Sequence, residues 1–174
     1  EQTSLKDSVE WVHFAITSED TNNIAYGLML SDTMANIFMP KMTEIVDSLA
    51  SFAKNYKDLP MLARTHGQPA TPTTFGKEMG VFASRLDRTA RNLSKHTILV
   101  KLNGASGNFN AHVAAYPKVD WNKFSKDFIV GLNKLKTRTL YLEPNLMTTQ
   151  IEPHDSYVEL FDHVRRFNTI LIDL

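Results

Sequence analysis

The chain has 174 residues, 43% apolar and 22% charged, the balance of a globular protein long enough to bury a core. Its 19 basic and 19 acidic residues cancel, which argues against the concentrated basic face of a nucleic-acid surface, and no apolar run approaches the roughly 20 residues that span a bilayer. With no cysteine, disulfide and thiolate chemistry are excluded and a reducing cytoplasm fits; no secretory signal is visible.

In chain order, Asp7 to Phe14 reads as a short helix and Ser18 to Leu30 as another. Ser18 is the expected N-cap, with Glu19 and Asp20 in the first turn near its partial positive charge. From Thr33 to Lys57, Met34, Ile37, Phe38, Met42, Ile45, Val46, Leu49, Phe52, Ala53 and Tyr56 fall on one helical stripe. Pro40 lies inside this pattern and is expected to kink the helix or begin a new one. Asp58 to Pro72 holds Pro60, Pro69, Pro72 and Gly67, which excludes a regular helix throughout. A second long stripe runs from Thr73 to about Val100 through Phe75, Met79, Phe82, Leu86, Ala90 and Leu93.

Lys101 to Pro117 is a connector whose small residues and glycines permit close backbone approach. Gly131 to Pro153 is a long connector containing Lys134, Lys136 and Arg138, a basic run most simply read as solvated loop. The last helix covers Asp155 to Leu174, with Asp155 as its expected N-cap and Tyr157, Leu160, Phe161, Val164, Phe167 and Leu171 on its apolar face. No segment alternates with period two over strand length. The expected fold class is therefore all-α, a bundle of long helices. The chain begins at Glu1 without Met and stops inside an apolar helical pattern, so residues 1–174 are expected to be a single partial domain of a longer chain.

Three polar clusters carry the candidate chemistry. Thr65-His66-Gly67-Gln68-Pro69 sets one imidazole among small and polar neighbours, with an unperturbed pKa of about 6.5 suited to proton transfer near neutrality. Taken alone, a loop histidine is more often a surface or structural residue. Thr17-Ser18-Glu19-Asp20 combines hydroxyls with a helix start, an arrangement that suits an anionic ligand or simple capping. Thr148 to Asp155 precedes the last helix, and Gln150 either faces a ligand or bonds to backbone. The six histidines, at 13, 66, 96, 112, 154 and 163, form no recognisable metal-ligand set. There is no phosphate-binding glycine loop and no nucleophile elbow.

Together the segments HFAITSEDTNN (13–23), LARTHGQPATPTTFGKEM (62–79), KLNGASGNFNAHVAAYP (101–117) and TTQIEPHD (148–155) resemble the adenylosuccinate lyases, above all their enterobacterial branch, over nearly the whole chain and in the same order. The resemblance implies the central domain of the fumarase/aspartase superfamily, with long, nearly parallel helices assembling into a cytoplasmic homotetramer whose active sites are shared between subunits. It implies a small-molecule nucleotide substrate, no cofactor and no metal. The implied reaction is β-elimination of fumarate from adenylosuccinate, giving AMP, and from the succinyl-aminoimidazole-carboxamide ribotide of purine biosynthesis. In that scheme His66 is the general acid, Thr17, Ser18 and Gln150 hold substrate, and Thr65 and Gln68 flank the acid.

The sequence departs from the family pattern in places. The serine base and its mobile loop, of the form SSxMPxKxNP, are absent and are expected beyond Leu174. The N-terminal substrate motif with its His-Asp pair is expected before Glu1. The segment alone is accordingly expected to be inactive. The connector from Gly131 to Met147 is longer than in the bacterial branch. Two rival readings stand beside the main one: another superfamily lyase, such as argininosuccinate lyase, and a non-catalytic helical scaffold of the lens-crystallin kind.

Overall fold

A computed structural model describes residue 4, residues 6–135 and residues 140–174. Lys136 and Arg138 of the basic run lie outside the described residues. The chain is mostly helical: α1 (Ser18–Thr33), α2 (Met39–Asn55), α3 (Phe75–Leu93), α4 (Asn110–Ala115), α5 (Trp121–Asn133) and α6 (Asp155–Asp173). A 3₁₀ segment covers Lys6–Trp11, and a π-helical turn covers Met34–Phe38. The all-α expectation needs one amendment. Strands β1 (Pro60–Thr65) and β2 (Gln68–Thr74) pair antiparallel, and β3 (Thr97–Val100) and β4 (Tyr141–Pro144) pair parallel.

These strands escape a periodicity reading for different reasons. The β1–β2 ribbon is rich in proline and largely exposed, so it has no apolar face to alternate. A two-stranded ribbon has only edge strands, where a missing N–H is tolerated. Thr97–Val100 is a short apolar run that extends the stripe of α3 on paper. In space α3 stops at Leu93, and Ile98 and Val100 are fully buried in a strand. A run of only four residues cannot be told from a helix end by period alone.

Two units emerge from the packing, Glu1–Asp32 with Thr97–Tyr157, and Thr33–His96 with Val158–Leu174. In the first, α1 packs against the β3–β4 pair. A Cβ on Gly27 would sit 2.9 Å from Val100 Cγ1 and 3.0 Å from Leu142 Cδ2, so a side chain here would have to displace the apolar side chains of the pair. Ser31 Oγ donates to Leu140 O at 2.6 Å. The Asn133 side chain closes both backbone groups of Leu142 at 2.9 Å, fastening the end of α5 to β4. Part of the segment read as a long connector, residues 131–133 and Tyr141–Pro144, is therefore the end of a helix and a strand.

In the second unit, Met42, Leu49, Leu86, Leu93, Leu160 and Phe167 are buried along the predicted stripes of α2, α3 and α6. Arg85 of α3 pairs with Asp173 of α6 at 2.6 Å. Pro40 occupies the first turn of α2, and the Met39 N–H bonds to Met34 O. The wider π turn absorbs the N–H that Pro40 lacks. Gly76 opens α3 against the end of α2, where a Cβ would lie 2.4 Å from Ala53 O. Phe75 N–H and Gly76 N–H donate to Leu59 O and Tyr56 O, each at 3.0 Å, and close the base of the β1–β2 ribbon.

Candidate active site

The predicted site residues fall into two groups, one in each unit. Thr65, His66 and Gln68 belong to the β1–β2 hairpin. Thr65 and Gln68 face each other as the last pair of the ladder, leaving His66 and Gly67 as a two-residue connection. Their φ angles are 50° and 75°. Positive φ at both positions is what the tightest hairpin turn requires, and it matches the twist of the strands. Glycine meets this freely; histidine is among the few other residues enriched there. The register shifts between Leu62 and Arg64, and the Arg64 guanidinium donates to Gly67 O at 3.4 Å. Thr65, His66 and Gln68 are exposed. Turn chemistry therefore presents the imidazole at the tip of a ribbon.

Thr17, Ser18 and Gln150 belong to the first unit, where they border a buried polar network. Asp20 and Lys101 form an ion pair of 2.9 Å with both side chains fully buried. Asp20 also accepts the N–H groups of Thr17 at 2.8 Å, Asn103 at 3.1 Å and Gly104 at 3.2 Å. The Lys101 ammonium uses its other donors on Gly104 O at 2.9 Å and Gln150 O at 2.7 Å. Asn23 pairs with the Lys101 backbone in both directions, accepting at 2.8 Å and donating at 3.1 Å. Tyr157 OH donates to Asn23 O at 3.0 Å. Burial, followed by the charges of Glu152 and Glu19, pushes its phenol up to about 12, so it remains a donor.

This network corrects the capping assignment at α1. Ser18 is the first helical residue, and Thr17 stands at the cap position. The Asp20 carboxylate reaches back to the Thr17 N–H, which is the returning half of a capping box. The Ser18 side chain is exposed at the helix start. At α6 the helix likewise begins with Asp155, after His154 with φ 63°.

Segment 148–152 is seated by the 101–107 loop. Asn103 Nδ2 donates to Thr148 Oγ1 at 2.8 Å. Gly107, with φ 78°, lies so close to this segment that a Cβ would fall 2.1 Å from Thr148 O. Gln150 is exposed, while its carbonyl is held by Lys101. Glu152 is fully buried; burial raises its carboxyl above the usual range, opposed by the Asn145 amide at 3.0 Å. His112, also buried, stacks edge-on to Trp121 at 4.9 Å and borders an apolar cavity of about 590 Å³ with Phe14 and Leu102. Burial lowers its pKa, partly offset by the Asp20 carboxylate.

Sequence reasoning missed Asp20, Asn23, Lys101 and Asn103 as a unit. The available signal was that TSEDTNN (17–23) and KLNG (101–104) each place charged and amide residues close together. Among the described residues, no group of three or more His, Cys, Asp or Glu side chains is placed to hold a metal ion.

A profile of the Lyase family matches residues 3–174. The chain belongs to that family. This lyase chain is 51% identical over 164 residues to the adenylosuccinate lyase of Escherichia coli (strain K12), covering 94% of the chain and 34% of that relative. It is 49% identical over 164 residues to the adenylosuccinate lyase of Vibrio cholerae, with the same coverage of 94% and 34%. Identity to the adenylosuccinate lyase of Legionella pneumophila (strain Corby) is 47% over 173 residues, covering 99% of the chain and 36% of the relative. The lyase chain thus spans about a third of the length of these curated relatives. In fold it is similar to the crystal structure of a fumarate lyase from Mesorhizobium sp. BNC1, with a TM-score of 0.70 and 23% identity, covering 93% of this chain and 36% of that one.

Proposed function

We propose that the protein to which this segment belongs is an adenylosuccinate lyase, releasing fumarate from adenylosuccinate to give AMP and from the succinyl-aminoimidazole-carboxamide ribotide. The observation that carries this reading is 47–51% identity over 94–99% of the chain to relatives of that name. The segment is read as part of the central long-helix domain, in a cytoplasmic homotetramer. Among the described residues no helix is long and apolar enough to cross a membrane. Exposed apolar side chains on the long helices, such as Phe52, Phe161 and Ile172, support burial against further chain.

In the proposed reaction a base takes the proton beside a substrate carboxylate, and the electron pair forms the fumarate double bond as the C–N bond breaks. The departing nitrogen receives a proton from His66. An imidazole on an exposed turn is free to enter a site completed by other parts of the assembly. Thr17, Ser18 and Gln150 are assigned to substrate binding, with Thr65 and Gln68 beside the acid. The base is assigned to no residue of this chain, and the segment alone is expected to be inactive. The test is spectrophotometric: purified full-length enzyme should consume adenylosuccinate with stoichiometric appearance of AMP and fumarate. No turnover of either succinyl nucleotide would overturn the reading.

A further inference from the structure

We propose that the buried Lys101–Asp20 pair is a positioning element that sets the Thr17–Ser18 and Gln150 parts of the substrate site in register with each other. This rests on the functional reading above and adds residues that do not themselves touch substrate. Three stretches distant in sequence, 17–20, 101–104 and 148–150, meet at these two side chains. Asp20 holds the Thr17 N–H at 2.8 Å, and Lys101 holds Gln150 O at 2.7 Å. The two groups hold each other at 2.9 Å with no exposed surface.

The chemistry of the pair favours positioning over bulk stability. Taking two charges out of water is costly, and a well-packed apolar pair of similar volume often serves stability as well or better. What an apolar pair lacks is direction. Each Lys101 donor and each Asp20 oxygen has a defined partner, so a shift of either side chain breaks several bonds at once. The ammonium has three donors, and they go to Asp20 Oδ1, Gly104 O and Gln150 O. Gly104 is bonded by both members of the pair, through its N–H to Asp20 and its carbonyl to Lys101. Residues 103 and 107 add the contacts to Thr148 that complete the seat. Displacing Gln150 by even about 1 Å is enough to cost substrate use heavily.

The test uses the full-length enzyme. Wild-type turnover of adenylosuccinate is measured first; its absence refutes the functional reading and this proposal together. The double variant Asp20→Asn/Lys101→Met removes both charges without leaving one buried alone. It should fold and raise KM roughly 10–100-fold, with a smaller change in kcat. Ile129→Ala, a cavity in the core of α5, serves as the stability control and should lower the unfolding midpoint without moving KM. A folded double variant with KM within twofold of an active wild type overturns the positioning role and leaves the functional reading intact. If the double variant fails to fold, Lys101→Arg decides. It keeps the charge but displaces the donors from Gln150 O, so a raised KM supports the proposal and an unchanged KM refutes it.

Discussion

The two groups of candidate site residues are held in opposite ways. His66 stands at the exposed tip of a ribbon, where two consecutive positive φ angles define the turn. Thr17 is bonded to Asp20 within the first turn of α1 and Gln150 to Lys101 about fifty residues away, and the buried pairing of Asp20 with Lys101 joins the two across roughly eighty residues of sequence. A turn that depends on its own residues tolerates loss of the imidazole without loss of fold. A buried charge network does not tolerate loss of one member. The same chain thus assigns the proposed proton donor to local geometry and the proposed binding floor to long-range geometry.

The sharpest way to break this contrast is His66→Ala in the full-length enzyme. Turnover should fall by about 10²–10⁴-fold, the usual contribution of a general acid, while the unfolding midpoint stays at the wild-type value. Lys101→Met alone should do the reverse first. Leaving Asp20 buried and unpaired should destabilise by about 3–5 kcal/mol, seen as a shift in the urea midpoint. If the first substitution unfolds the protein, or the second leaves stability unchanged, the two regions are not held as described.

Glycine substitutions sharpen the same comparison. Gly107→Ala meets both a left-handed φ of 78° and a carbonyl at 2.1 Å, so it should cost more than about 2 kcal/mol and raise KM. At Gly67, φ is 75° but a Cβ would meet nothing within 4 Å. Gly67→Ala should cost only about 1 kcal/mol of backbone strain. Equal effects in paired denaturation curves would show that the 148–150 segment gives way easily.

The smallest expected effect is a pH dependence. Burial holds His112 below its ordinary value, and burial with the neighbouring His96 does the same for His163. When the folded state disfavours the charged imidazole, the unfolded chain takes up the proton first. Stability is then intact above about 6.5 and falls as pH drops through that value toward the lower folded pKa. Wild type should lose midpoint between pH 7.5 and 5.5. A His112→Gln/His163→Gln variant should lose less over the same interval; an identical loss would exclude these two histidines as its source.

Much of this molecule was legible in its sequence because the relevant signals are local. The stripes of α2, α3 and α6 follow from side-chain spacing on a helix, and Leu49, Leu86, Leu93, Leu160 and Phe167 are buried where that spacing puts them. The segments at 62–79, 101–117 and 148–155 pointed to the lyase family by their order and wording. Tertiary structure decided the rest. Whether Thr97–Val100 ends a helix or forms a strand depends on β4, more than forty residues away. The helix-start aspartate became the acceptor of a fully buried lysine, which no pattern of apolar spacing announces. Lysine is ordinarily a surface residue, and only a carboxylate and carbonyls brought to it by the fold make its burial tolerable.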